Sequence, residues 1–229
     1  MRETLSRGLR ALGLDPGLAE PLEAFSRMLL ERNQVMNLTA ITEPKAVAEL
    51  HLLDSLALIP LAGLAGEAVV DVGTGAGFPG VPLAVALPEA RLTLLDSLGK
   101  RVDFLREACG QLELRNVDCV HARAEEFAGE NRERFDAAVS RAVAALPVLS
   151  ELCLPLVRVG GRFLAMKSSH EEVGAAEPAI ERLGGRISWI RDYTIPGTQI
   201  THRLVCVDKI SPTPKKYPRR FAQIKKQPL

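Results

Sequence analysis

The stretch EAVVDVGTGAGFPG, residues 67–80, constrains the fold more than any other part of this 229-residue chain. An apolar run of strand character gives way to four glycines within the ten residues from Asp71 to Gly80. Glycine takes up left-handed backbone without a steric cost and lets backbone come close to a neighbour. The segment that follows, 80–87, is apolar and suited to a helix. A strand, a tight turn and a helix in that order predict the carboxyl edge of an α/β sheet, where such folds bind ligands.

The rest of the chain supports that architecture. Apolar positions at helical spacing predict helices over 1–13 and 17–32, divided by the breaker LDPG. A third helix is expected from about Glu43 to Ile59, with Pro44 in its first turn. After LAGLAG the pattern changes. Strands are predicted at 67–72, 91–96, 117–121, 135–140 and 161–167, with helices at 80–87, 98–110, 146–157 and 171–183 between or after them. GRISWIRDYTI and QITHRLVCVDKI then alternate as strands do, and the turn-like PGT near their junction makes them an antiparallel pair. The expected fold is α/β: a Rossmann-like sheet, mostly parallel, with a late antiparallel hairpin and preceding helices. The expected divisions are an N-terminal helical extension (1–62), the sheet domain (63–210) and a basic, Pro-rich tail (211–229).

Three ligands compete for the glycine turn. A nucleoside triphosphate loop needs a Gly-Lys-Ser/Thr ending, and here the turn closes on Phe78-Pro79-Gly80. A dinucleotide fingerprint is satisfied by Gly75, Gly77 and Gly80, with Asp96 following the second strand. An overlapping pattern is longer: Asp71, Gly73, Gly75 and Gly77 at alternate positions, which resembles the first motif of Rossmann-like methyltransferases using S-adenosylmethionine. Pyrophosphate favours a helix N-terminus aimed at it, whereas a sulfonium cofactor carries positive charge and is better served by a nearby acid. Asp96 can accept hydrogen bonds from ribose hydroxyls in either case. The late hairpin favours the methyl donor, and the dinucleotide remains the alternative.

Composition sets further bounds. At 47% hydrophobic and 25% charged the chain matches soluble globular usage, and no apolar run approaches a bilayer span, so a cytoplasmic protein with no membrane partner is expected. Cys109, Cys119, Cys153 and Cys206 form no CxxC, and the four His do not join them at zinc spacing, so buried reduced thiols and no metal site are expected. Net charge is +1, but residues 211–229 hold six Lys/Arg and no acid, leaving 23 Lys/Arg against 28 Asp/Glu in the body. Such a tail is either an anchor for a polyanion or a solvated disordered end.

The acceptor is less legible than the donor. No cysteine is placed as a nucleophile for cytosine C5. The loop after the fourth strand carries Ser140-Arg141-Ala142 where amine methylation would use an Asn/Asp-Pro-Pro-aromatic sequence. An acceptor with a free lone pair, such as guanine N7, loses no proton and needs no general base. Holding it in line with the methyl carbon is then the main task.

Seven stretches together resemble the GidB family, bacterial methyltransferases of 16S ribosomal RNA: NQVMNLTAIT (33–42), HLLDSL (51–56), VVDVGTGAGFPGVPLA (69–84), LLDSLGKRVDFL (94–105), RAEEF (123–127), FDAAVSRAVA (135–144) and AMKS (165–168). The resemblance implies transfer from S-adenosylmethionine to guanine N7 in the 530 loop, with 16S rRNA or the small ribosomal subunit as partner and a monomer as the working unit. It implies a cofactor site of Asp71, Gly73, Gly75, Gly77, Phe78, Asp96, Ser97, Ala124, Glu125 and Arg141. Arg141, Asn37 and Lys167 are the implied catalytic groups. Arg123, His51, Asp54 and Ser55, with Lys215, Lys216, Arg219 and Arg220 of the tail, are the implied substrate contacts. After KYPRR the chain departs from the Pro-Gly turn expected of the family and continues FAQIKKQPL. An RNA-binding assembly factor on the same fold and a small-molecule methyltransferase are the competing functions.

Overall fold

Along the first strand, alternate side chains enter two different cores: Val69 joins one cluster of buried residues and Val70 the other. That period of two is the pleat of a strand covered on both faces. The computed structural model describes residues 1–141 and 144–229. These form a seven-stranded sheet of β1 (Ala68–Val72), β2 (Arg91–Asp96), β3 (Val117–His121), β4 (Phe135–Arg141), β5 (Val157–Ser168), β6 (Gly185–Thr194) and β7 (Thr201–Lys209). The order is β3-β2-β1-β4-β5-β7-β6, and β7 lies antiparallel between β5 and β6. The chain leaves β1 toward β2 and β3 on one side and returns to β4 on the other, so the switch point lies between β1 and β4. A crevice opens there in open α/β sheets.

One face is covered by α1 (Arg2–Ala11), α2 (Ala19–Asn33), α3 (Pro44–Val47), α4 (Asp54–Leu56), α5 (Leu58–Ala62), α6 (Gly80–Ala86) and α7 (Gly99–Gln111). The other carries α8 (Ala124–Glu130), α9 (Leu146–Cys153), α10 (Glu177–Arg182) and α11 (Phe221–Lys226). The N-terminal helices share one core with the sheet: Leu5, Leu22, Phe25 and Leu52 are fully buried in the cluster that holds Val69 and Leu164. The loop that follows α2 is pinned by Asn33, whose Oδ1 accepts from Leu38 N at 2.8 Å and Thr39 N at 2.9 Å.

Several elements differ from the sequence expectation. The helix expected over 43–59 is broken up: a wider π turn, Ala48–Leu53, separates α3 from α4. Such turns concentrate at functional sites, and this one carries His51. The helix expected to reach 157 ends at Cys153, because Pro155 supplies no N–H, and β5 begins at Val157 instead of 161. The helix expected over 171–183 is a short 3₁₀ turn (Gly174–Ala176) followed by α10. α8 and α11 were not anticipated; both are too short for a clear helical period.

The reading of 211–229 as a disordered end is corrected. Arg132 donates to the carbonyls of Tyr217 at 2.7 Å and Pro214 at 3.1 Å, and also to that of Thr213. The fully buried Lys209 ammonium lies 2.9 Å from Glu133 Oε1 and 2.8 Å from Thr213 Oγ1. Arg219 meets the buried carboxylate of Glu151 through Nε at 2.8 Å and Nη2 at 2.6 Å. Tyr217 and Ile224 are buried in the second core. A tail that buries two apolar side chains and satisfies these charges is folded chain, while Lys215, Lys216, Arg220, Lys225 and Lys226 remain exposed on it.

The glycine turn gives a direct stability test. Gly77 has φ +102°, and a Cβ there would stand 2.8 Å from Val81 Cγ2 and 2.9 Å from Leu105 Cδ2. Gly77→Ala combines a backbone cost of about 1–3 kcal/mol with overpacking of similar size. A clear fall in the denaturation midpoint is expected; an unchanged midpoint would mean the turn relaxes at no cost.

Candidate active site

The turn after β1 is built by two aspartates that spend their oxygens on backbone. Asp71, fully buried, accepts from Gly80 N at 2.8 Å through Oδ2. Burial raises its carboxyl to about 6, against the pull of the Thr74 hydroxyl, the Gly80 N–H and the Arg141 charge. That carboxylate occupies the start of α6, where a dinucleotide's pyrophosphate would need free N–H groups. Asp96, 5% exposed, accepts from Gly75 N and Leu98 N, each at 2.9 Å. A carboxylate has about four acceptor positions, so two N–H bonds leave capacity for ribose hydroxyls. Gly73 and Gly75 take positive φ of 73° and 60°, which opens the turn beside that carboxylate.

A cleft of about 120 Å³ runs along this turn, with Gly73, Asp96, Ser97, Arg123, Ala124 and Glu125 among its lining residues. Its apolar wall includes Leu95, Ala122, Leu152 and Phe221. Carboxylates at the rim over an apolar slot suit a ribose and a flat purine. With Asp71 closing the α6 terminus, the donor set fits S-adenosylmethionine better than a dinucleotide.

A second, larger cavity of about 730 Å³ lies at the carboxyl ends of β4 and β5, lined by His51, Asp54, Arg141, Lys167, Glu171 and His202 among others. Arg141 organises it. Its Nη1 donates to Asp54 Oδ2 at 3.0 Å and to the Leu50 carbonyl at 3.1 Å, and its guanidinium stands 5.0 Å over the Phe78 ring. Asp54, 1% exposed, also accepts from Tyr193 OH at 2.8 Å and His202 Nδ1 at 2.9 Å. Burial alone would raise the Asp54 carboxyl, but the His202 hydrogen bond, the Arg141 charge and Tyr193 together hold it below its ordinary value.

His51 stacks on Phe78 with ring centroids 4.5 Å apart. Burial, reinforced by the Arg141 charge, lowers its imidazole to about 4, so it is neutral near pH 7. Arginine has no acceptor, so the 3.1 Å contact from Arg141 Nη2 makes His51 Nδ1 the acceptor. The proton then sits on Nε2 and is donated to Thr39 Oγ1 at 2.8 Å. Lys167 is nearly buried, 3.2 Å from Glu171 Oε1, and donates to the Ala144 carbonyl.

The expected site residues thus divide among several places. Gly73, Asp96, Ser97, Ala124, Glu125 and Arg123 meet in the smaller cleft; His51, Asp54, Arg141 and Lys167 meet in the larger one. Arg141 was expected in the cofactor site as well as in catalysis, and it lines only the larger cavity. Asp71, Gly77 and Phe78 lie beneath the turn as braces: Asp71 is fully buried and Phe78 is sandwiched by Phe25, His51 and Arg141. Ser55 is corrected: it is fully buried, and its hydroxyl donates back to the His51 carbonyl within the helical segment. Asn37 is exposed in a third hollow with Ser97, Lys100 and Arg101, apart from Arg141. Arg219 is committed to Glu151, whereas Lys215, Lys216 and Arg220 are exposed. Ala142 of the Ser-Arg-Ala loop lies outside the described residues. Sequence reasoning missed Tyr193, His202 and Glu171; the polar side chains Tyr193 and His202 on the late hairpin were the available signal for the first two.

A family model described as GidB, rRNA small subunit methyltransferase G, matches residues 18–193. The chain is 46% identical to a Ribosomal RNA small subunit methyltransferase G of Lachnoclostridium phytofermentans, over 99% of this chain and 96% of that protein. It is 47% identical to the protein of the same name from Alkaliphilus metalliredigens, over 98% and 97% of the two chains. Among solved structures, TrmN from Thermus thermophilus aligns with a TM-score of 0.55 and 23% identity, over 68% of this chain and 48% of that one. M. jannaschii TYW2 in complex with AdoMet aligns with a TM-score of 0.54 and 15% identity, over 65% and 72%. At those identities the structural likenesses carry the fold, a Rossmann-like α/β sheet.

Proposed function

The chain belongs to the rRNA small subunit methyltransferase G family, and from that premise we propose that it methylates N7 of a guanine in the 530 loop of 16S rRNA. Its cofactor is S-adenosylmethionine, which when bound supplies a methyl group on a sulfonium centre. Asp96, Ser97, Ala124 and Glu125 would hold the adenosine end. The acceptor would enter the larger cavity, where Arg141 bridges the sheet and the π turn.

The state of the bases around Arg141 is the observation that carries the N7 reading. Asp54 already accepts from three side chains, and His51 Nδ1 accepts from Arg141. Both are engaged, so neither is free to remove a proton from an acceptor. Guanine N7 presents a lone pair and loses no proton on methylation, so positioning suffices. Arg141, Lys167 and His51 would orient the base. Arg123 and the exposed Lys215, Lys216 and Arg220 would meet phosphates, a contact that weakens with salt.

The test is methyl transfer from labelled S-adenosylmethionine to small subunits and to naked 16S rRNA from cells lacking this protein. The expected product is one N7-methylguanine in the 530 loop. Label on another atom would overturn the N7 assignment, and label elsewhere in the rRNA would overturn the position. Incorporation into neither RNA would favour an assembly factor or a small-molecule enzyme.

A further inference from the structure

The C-terminal helix α11 belongs to the stretch that departs from the family's expected ending, and it reaches the cofactor cleft. Phe221 lines that cleft together with Asp96, Ala124 and Glu125. It is half-buried, packed against the second core cluster. Its backbone N–H donates to Glu125 Oε1 at 3.2 Å, which ties α11 to the first turn of α8. Two further anchors hold it there: Ile224 is fully buried, and Arg219 pairs with the buried Glu151 of α9. The other apolar lining residues are aliphatic, so among the described residues Phe221 is the aromatic ring of this cleft.

We propose that Phe221 is the aromatic wall of the adenine subsite, so that the C-terminal segment completes the cofactor pocket. This rests on the assignment of the cleft to S-adenosylmethionine. A purine offers two flat faces that stack on an aromatic side chain whatever its hydrogen-bonding edge. The polar ends of the nucleoside are served by Asp96 and Glu125, and Phe221 supplies the surface between them. An aliphatic side chain at 221 would close the pocket without that face.

The test is calorimetric binding of S-adenosylhomocysteine and 5′-methylthioadenosine to the full-length protein and to Phe221→Ala, Phe221→Leu and Phe221→Tyr. Methylthioadenosine lacks the amino-acid end, so an effect shared by both ligands belongs to the adenosine end. Phe221→Ala is expected to weaken both about tenfold, within the range of aromatic–base stacking. Phe221→Tyr is expected to stay within about twofold of the parent. Phe221→Leu keeps apolar volume without a ring and is expected to show the alanine loss, which serves if the alanine variant fails to fold. Parent-like affinity in the alanine or leucine variant would overturn the proposal, as would a loss confined to S-adenosylhomocysteine or a tyrosine variant as weak as alanine. A parent protein that binds neither ligand would instead overturn the cofactor assignment.

Discussion

Arg141→Ala is expected to lower methyl transfer by about 10²-fold or more, while S-adenosylhomocysteine affinity stays within about threefold. Arg141 is the last residue of β4, and its side chain is only 14% exposed. It joins the sheet edge to the π turn through Asp54 and the Leu50 carbonyl, and it lies over Phe78. Alanine would release the π turn and the ring stack that shape the larger cavity. A misplacement near 1 Å costs roughly 10²-fold when positioning is the catalytic contribution. The cleft proposed for adenosine is lined by other residues, so cofactor affinity is expected to survive. Arg141→Lys keeps the charge but not the planar fork that meets Asp54, His51 and Leu50 together, and should recover little activity. Single-turnover transfer to small subunits, with binding measured separately, separates the two effects. An alanine variant with parental transfer would remove Arg141 from the mechanism.

Asp54→Ala is expected to destabilise the fold by about 3–5 kcal/mol, the usual cost of removing one partner from a buried ion pair. For a domain of this size that lowers the melting temperature by on the order of 10 °C. Asp54 is 1% exposed and accepts from Arg141, Tyr193 and His202, which come from three different strands. Without it the Arg141 guanidinium loses its carboxylate and two further donors are left beside an apolar gap. A melting temperature within 2–3 °C of the parent, about 1 kcal/mol on the same scale, would show that the network relaxes around the loss.

The same network sets a pH signature. The Asp54 carboxyl is held below 3.8, so its contribution is present above that value and fades as pH falls through the lower folded pKa. His202 is shifted the other way, raised above 6.5 by its hydrogen bond to Asp54 against a smaller effect of burial. Its contribution is therefore complete below 6.5 and is lost as pH rises through its folded pKa. Both contributions hold together between about 3.8 and 6.5. The melting-temperature gap between the parent and His202→Gln should shrink as pH rises from 6 to 9. A gap independent of pH would mean that folding leaves the His202 pKa at its ordinary value.

Much of the architecture is local enough to be written in the chain. The strands expected at 91–96 and 117–121 match β2 and β3 in their bounds, since each is a short run set between helical segments. The cleft proposed for adenosine was legible as a cluster: Gly73, Asp96, Ser97, Ala124 and Glu125, singled out from the turn and the family resemblance, follow strand ends at the sheet's carboxyl edge, where topology gathers them. The larger cavity was legible only in part. His51, Asp54 and Arg141 were singled out, yet Tyr193 and His202, which complete Asp54's coordination, lie 139 and 148 residues away from it in the chain. Nothing periodic connects such positions. The tail's folded state was hidden for a related reason: six basic charges and its prolines left a polyanion anchor and a solvated end both open, while its partners Glu151, Glu133 and Arg132 lie on other elements.

By itself, then, the sequence determined the strand–turn–helix unit, the alternating α/β order, the late hairpin and the glycine turn, because each depends on backbone preference and periodicity within a few residues. Tertiary structure alone decided that Asp71 closes the start of α6, that Ser55 turns inward, and that Phe221 lines the cleft beside the glycine turn. Those outcomes depend on which distant donor or apolar surface reaches a buried group first, and burial makes that pairing obligatory.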